Sequence, residues 1–423
     1  MYNFNMKKFP RFAKKALQFF TLVSSLFFKN DLLTYAAAGS YGFLCSLVPI
    51  IMLIAGILIR FFKTTPDSLL AMLNQTPITK AFDLQNVLVS ILSVKKAGVF
   101  EIIITVFVLL MARRFFNYLT RGFRQIFRDA VPKRPVLAGI ITFSSEVLLV
   151  LGVALLVFVL NVFQTFINVT GLVSYAPWFL KESGELFLNT LPVVTMFIVI
   201  MLFYHFVPGS KPKFSYCAVF AAFCTFSFWL FDIFFHLFLN MGRYNIVYGV
   251  LSNLIVLLLE VYVFFILLLF FAECIFVKQF YDILNFEQLY LLPPETSKTP
   301  VSAFTRFVFK EPESVLDSVV MNLKKGQNIF ESDTKSDCIY YVVSGRVSYF
   351  ENNHIEYYSA GSFFGEIDCL TKRKRQSSAV AETDAKLFCI SYDTFKELLD
   401  FSSESNKKMV ETMNAFYSRA NNS

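Results

Sequence analysis

The chain has 423 residues, 56% of them hydrophobic and only 17% charged, with a mean hydropathy of +0.55. An ordinary soluble domain is about 45–50% apolar and about 25% charged, so a wholly soluble globular protein is excluded. The net charge of +8 would suit nucleic acid, but in so apolar a chain it is expected at the cytoplasmic face of a membrane.

The first fifteen residues are basic but lack a short apolar core with a small-residue cleavage site, so no removable signal is expected there. Apolar stretches then follow at roughly 34–59, 99–112, 137–163, 186–207, 214–240 and 247–277. A helix rising 1.5 Å per residue needs about 20 residues to cross ~30 Å of hydrocarbon. Five stretches reach that length; 99–112 is short and contains Glu101. Segment 68–94 has apolar runs too short to span and reads as a folded loop or interfacial helix.

Lysine and arginine set the expected orientation. Residues 1–30 hold six and residues 113–135 hold seven, whereas 164–185 hold one. The positive-inside rule therefore predicts both termini in the cytoplasm, with six membrane crossings between them. Within the spans lie Glu101, Glu146, Asp232, Glu260 and Glu273. A carboxylate in hydrocarbon costs at least ~2.5 kcal/mol, so such residues usually face a bundle interior. Glu146, Asp232, Glu260 and Glu273 are the intramembrane polar candidates, with Glu260 central in its span and Glu273 near an end. Pro49 and Pro192 permit kinks, and Ala36-Ala-Ala-Gly-Ser40 allows close helix approach.

The run Tyr35-Ala-Ala-Ala-Gly-Ser-Tyr-Gly-Phe-Leu-Cys-Ser-Leu-Val-Pro49, then Tyr204-His-Phe-Val-Pro208, Tyr248-Gly249 and the segment Leu257–Glu273, resembles the YihY/BrkB family of inner-membrane proteins. The resemblance covers roughly residues 20–278 and implies six helices with both ends inside. It implies movement of an ion, lipid or other amphiphile. A ribonuclease role is not supported, because the chain has three histidines and no metal-like His or Cys spacing. No enzymatic activity and no metal are expected.

From residue 278 the composition changes. Lys278 to Leu292 is amphipathic, and Pro293-Pro-Glu-Thr-Ser-Lys-Thr-Pro300 breaks it, giving a linker over 279–300. Runs rich in β-formers follow at 339–345, 347–350 and 378–390, then helical patterns at 392–399 and 404–419. The expected fold is therefore an all-α six-helix transmembrane bundle plus a C-terminal β-roll, jelly-roll-like, with flanking helices. Its domains are a basic segment 1–30, a membrane domain 31–278, the linker, and a tail 301–423.

The landmarks Gly326, Ser344-Gly345, Gly361, Phe364-Gly-Glu-Ile367 and Arg375 make residues 301–420 resemble a cyclic-nucleotide-binding domain. The resemblance implies cAMP or cGMP as a regulatory ligand. Phe364, Gly365, Glu366, Ile367, Arg375 and Gln376 would hold it, with Glu366 on the ribose 2′-hydroxyl and Arg375 on the cyclic phosphate. Met409, Met413 and Phe416, at i, i+4 and i+7, would form a lid over the base. Departures from the family pattern are Ser332, Asp368, Cys369 and Gln376. The expected partners are the lipid bilayer and a cyclic nucleotide; nucleic acid is not expected, and an oligomer is compatible with the sequence. The rival reading is a non-transporting membrane scaffold whose tail is a ligand-free docking module.

Overall fold

The computed structural model describes residues 11–45, 117–128, 178–238, 250–293, 299–310, 318–351 and 354–420. The expected spans at 99–112 and 137–163, most of that at 34–59, and with them Glu101 and Glu146, lie outside the described residues. The chain packs as two units. One is Val23–Gln279; the other joins Phe280–Ser423 to the beginning of the first helix.

The first unit is helical. After α1 (Arg11–Lys29) come α2 (Leu32–Cys45), α3 (117–127), α4 (Trp178–Phe206), α5 (Phe214–Phe238) and α6 (Val250–Gln279). Among the described residues two helices are long and apolar enough to cross a membrane, over Phe214–Phe235 and Ile255–Gln279. Leu32–Cys45 and Pro192–Phe206 are shorter apolar helices. Among the described residues the structure thus displays a helical N-terminal region with two such helices. The outer face of α5 presents Phe223, Phe226, Trp229 and Phe234. A folded surface seldom shows a ring of aromatics unless a partner or lipid covers it.

Packing within this unit uses small residues and a few polar ties. Ala36 and Ser40 on α2 are buried, and a Cβ on Gly39 would lie 3.5 Å from the Phe265 ring of α6. That close approach is what the small-residue run allows. Tyr204, fully buried on α4, donates its hydroxyl to the carbonyl of Leu268 on α6 at 2.9 Å.

The second unit is built on eight strands: β1 (Ser318–Leu323), β2 (Asn328–Phe330), β3 (Cys338–Ser344), β4 (Arg346–Glu351), β5 (His354–Ser359), β6 (Phe363–Phe364), β7 (Ser378–Ala381) and β8 (Ala385–Ser391). They form two antiparallel four-stranded sheets, ordered β1-β8-β3-β6 and β2-β7-β4-β5. The chain changes sheet between β3 and β4 at Gly345, where φ is +91° and a Cβ would lie 2.5 Å from the Asp384 carbonyl. Glycine alone fits that corner. Between the sheets pack Tyr340, Val342, Val347, Phe364 and Leu387.

Alternate residues of β3 and β8 face the other way, onto helices. Ile339, Tyr341, Phe388 and Ile390 form a second core with α7 (Tyr281–Tyr290), α10 (Tyr392–Phe401) and α11 (Ser403–Ala420); α8 (Pro300–Phe309) and the short α9 (Glu366–Thr371) complete the unit. Period-two alternation lets the same strands feed both cores with alternate residues. The stretch expected as linker from 279 therefore begins with a helix of the β domain. Its amphipathy is the reason: Ile283, Phe286, Leu289 and Tyr290 are buried in this core. Thr299 caps α8 by accepting from the Ser302 amide at 3.2 Å, with Pro300 in its first turn.

Candidate functional site

The site grows from the turn between β6 and α9. Phe364 anchors it: the ring is buried and stacks on Tyr340 at 5.2 Å and on Tyr358 at 5.4 Å. The next residue, Gly365, has φ +75° and launches α9. A left-handed residue there turns the chain sharply enough to aim Glu366 to one side and Ile367 to the second core.

Arg375 reaches the same turn from the strand side. It is only 2% exposed, and its main chain is pinned by hydrogen bonds from the Asp333 amide (2.8 Å) and to the Thr334 carbonyl (2.9 Å). Its guanidinium lies 4.4 Å over the Phe330 ring and 5.5 Å from the Tyr340 ring centre. Nη1 donates to the Gly365 carbonyl at 2.8 Å, and Nη2 donates to the Cys338 carbonyl. Nε has no hydrogen-bond partner although it is buried. A buried charged donor without a partner is costly, and an anion is what satisfies it best.

Asp368 is buried nearby, accepts from the Gln376 amide, and faces the Arg375 charge; burial nevertheless holds its carboxyl above the ordinary range. Gln376 itself is exposed. Cys338, half-buried, shares a hydrogen bond with Cys389 that lowers its thiol to about 6, with help from Tyr340 and the Arg375 charge. Both cysteines pack on the same inner face of the roll.

Glu366 meets groups of the flanking helices. Burial pushes its carboxyl up to about 7, against the charge of Lys408 and a hydrogen bond from Tyr290. Of the expected lid residues, Met409 is buried in the helical core, Met413 packs partly buried against it, and Phe416 stacks edge-on with Tyr417 at 5.5 Å. Tyr290 and Lys408 belong to this site and were not among the residues expected from sequence. The amphipathic run 278–292 marks Tyr290 as a helical residue, but nothing local marks its neighbour.

In the helical unit, Glu273 is fully buried, and Asn30 donates to its Oε2 at 3.3 Å while Oε1 has no partner. Glu260 and Asp232 are partly exposed, and both engage other groups. Glu146 lies outside the described residues.

These features describe a helical, membrane-associated unit followed by a domain of the cyclic nucleotide-binding kind. The family model described as Virulence factor BrkB matches residues 23–281, more than half of the chain, and the chain belongs to that family. The model described as Cyclic nucleotide-binding domain matches residues 320–401. The cAMP-dependent protein kinase regulatory subunit of Eremothecium gossypii is 31% identical over 100 residues, covering 22% of each chain. That of Aspergillus fumigatus is 35% identical over 77 residues, covering 18% of this chain and 19% of the relative. The chain thus spans about a fifth of the length of these curated relatives. The catabolite activator protein of Thermus thermophilus aligns at 21% identity with a TM-score of 0.23, covering 25% of this chain and 52% of that one.

Proposed function

We propose that this protein is a six-span inner-membrane protein, both termini cytoplasmic, that moves an ion, lipid or other amphiphile under control of a cyclic nucleotide bound by its tail. Glu366 would accept from the ribose 2′-hydroxyl, and Arg375 would meet the cyclic phosphate. The observation that carries the ligand reading is the buried, unpartnered Nε of Arg375, whose guanidinium is seated against a glycine turn where a Cβ would lie 2.5 Å from Nη1. Nη1 and Nη2 already donate to the Gly365 and Cys338 carbonyls, so a phosphate would meet Nε in a charge-assisted hydrogen bond. For occupancy to regulate anything, the nucleotide must bind two states of the protein with different affinity.

The test uses the full chain in lipid nanodiscs, titrated calorimetrically with cAMP and cGMP. Saturable heat and a rise in melting temperature with one of them are expected. In proteoliposomes, flux of an encapsulated anionic or cationic dye should then change when that nucleotide is added outside. No heat and no stabilisation at millimolar nucleotide would overturn the reading and leave the docking scaffold in its place.

A further inference from the structure

Helix α1 belongs to both units: its residues up to Leu22 go with the second, and those from Val23 go with the first. It runs from Arg11 to Lys29 with neither glycine nor proline, so nothing in its sequence kinks it. Gln18 holds the early part. Its side chain is buried, and both ends of the amide are paired. Nε2 donates to the Val308 carbonyl of α8 at 3.1 Å, and Oε1 accepts from the Tyr281 hydroxyl of α7 at 3.0 Å. Val308 lies in the last turn of α8, where carbonyls lack intrahelical donors, so Gln18 supplies one. A buried amide satisfied at both ends fixes the helices that it joins.

The same end of α8 is tied to the pocket. The Lys310 carbonyl, just past α8, accepts from the Tyr341 hydroxyl on β3 at 2.7 Å. At the start of that strand, the Cys338 carbonyl accepts from Arg375 Nη2. Hydrogen bonds and one strand therefore lead from the pocket arginine through the end of α8 to Gln18. From there α1 continues to Lys29, about 16 Å at 1.5 Å per residue. Asn30, in the turn that follows, donates to Glu273 on α6 at 3.3 Å.

We propose that α1 is the transmission element of this protein: Gln18 clasps it to the nucleotide domain, and a shift of Arg375 and β3 on binding reaches α6 through α1 and Asn30. This rests on the nucleotide reading above. A helix passes an axial or rotational shift along its length, because each turn is hydrogen-bonded to the next. The Gln18 amide follows such a shift and does not slip, because letting go strands a buried donor and a buried acceptor. Coupling of this kind is reciprocal, so a change at Asn30 must alter nucleotide affinity by the factor that the nucleotide alters the Asn30 contact. The rival route, from α7 across Phe280 into α6, does not pass through Gln18.

The experiment is a double-mutant cycle on the full chain in nanodiscs, titrated calorimetrically with cAMP and cGMP. Asn30→Ala, a change in the first unit, is expected to shift the affinity for the nucleotide that binds by about fivefold or more. Gln18→Leu keeps an apolar stem and removes both hydrogen bonds. In the Gln18→Leu background, Asn30→Ala should shift affinity by less than about twofold, as independent sites do. Unchanged affinity in Asn30→Ala overturns the proposal. So does an equal effect of Asn30→Ala with and without Gln18, which sends the signal through the α6–α7 junction. Wild type that binds neither nucleotide overturns the nucleotide reading itself. Should Gln18→Leu not fold, Tyr281→Phe, which removes only the donor to Gln18 Oε1, takes its place in the cycle and should shrink the Asn30→Ala effect. As a second measurement, hydrogen exchange of the α1 amides at 23–29 should change when that nucleotide saturates wild type and stay unchanged in Gln18→Leu; no change in wild type, or equal change in both, breaks the clasp.

Discussion

The Gly365 carbonyl accepts from Arg375 Nη1 at 2.8 Å, and a Cβ built on Gly365 would lie 2.5 Å from that same nitrogen. The turn and the guanidinium are thus fitted to each other: the backbone supplies an acceptor where no side chain has room. With φ at +75° the position excludes ordinary residues on conformational grounds too.

Gly365→Ala should therefore act twice. The left-handed backbone and the displaced guanidinium together cost about 1–3 kcal/mol of stability in this unit. Arg375 would leave its place, so cyclic nucleotide affinity should fall at least tenfold. Denaturant unfolding and titration on the same preparation check both. Unchanged affinity in a folded Gly365→Ala protein would show that the arginine's present position is irrelevant to the ligand.

Arg375→Ala removes the donor to two buried carbonyls, those of Gly365 and Cys338, and opens the space over Phe330. Each stranded carbonyl costs ~1–3 kcal/mol, so melting should drop even without ligand. Nucleotide affinity should fall at least tenfold, because a charge-assisted contact to phosphate is worth ~1.5–3 kcal/mol. Arg375→Lys should recover part of the affinity, since it restores the charge without the planar fork. An Arg375→Ala protein that melts early but binds as tightly as wild type would assign Arg375 a structural role alone.

How far the sequence carries depends on how local each feature is. Gly365, Glu366 and Arg375 stand within eleven residues, and the motif resemblance is readable because the turn that unites them is contiguous. The helical N-terminal region and the antiparallel β domain were readable from long apolar runs followed by β-rich ones. The pairing of β3 with β8 and β6, and not with β4, was not, because only the Gly345 corner decides it. Tyr290 was hidden for a similar reason. Amphipathy placed it on a helix, but its contact with Glu366 and Lys408 joins three distant stretches, and only packing brings those together. Glu273, a candidate near a span end, is buried on α6, but its partner Asn30 lies 243 residues away and nothing local marks it.

Glu366 gives the tail a pH dependence whose sign can be worked out. Burial raises its carboxyl to about 7, so the folded protein holds this proton more tightly than the unfolded chain, where a glutamate titrates near ~4.3. The stabilising contribution is complete below the unfolded value and is lost as pH rises through about 7. Unfolding should become easier from pH 5 to pH 8, by at most on the order of 3 kcal/mol from this group. Recognition of the ribose runs the other way, since the ionised form accepts best: the preference for cAMP over 2′-deoxy-cAMP should grow from pH 6 to pH 8. Glu366→Gln should flatten both trends. Trends of equal slope in Glu366→Gln would place the titrating group elsewhere.

The expected orientation in the membrane rests on lysines and arginines: six in residues 1–30 and seven in 113–135, against one in 164–185. Moving so many cations across the bilayer is strongly disfavoured, so the two rich segments should lie on the cytoplasmic side. That side also holds the nucleotide supply that a sensing tail requires. Single cysteines placed by Arg128→Cys and Tyr175→Cys in a cysteine-free background report it directly. A membrane-impermeant maleimide added to intact cells should label position 175 and spare position 128 until the membrane is opened. Labelling of 128 in intact cells with 175 protected would invert the protein, put Glu366 and Arg375 outside the cell, and remove the basis for regulation by a cytoplasmic nucleotide.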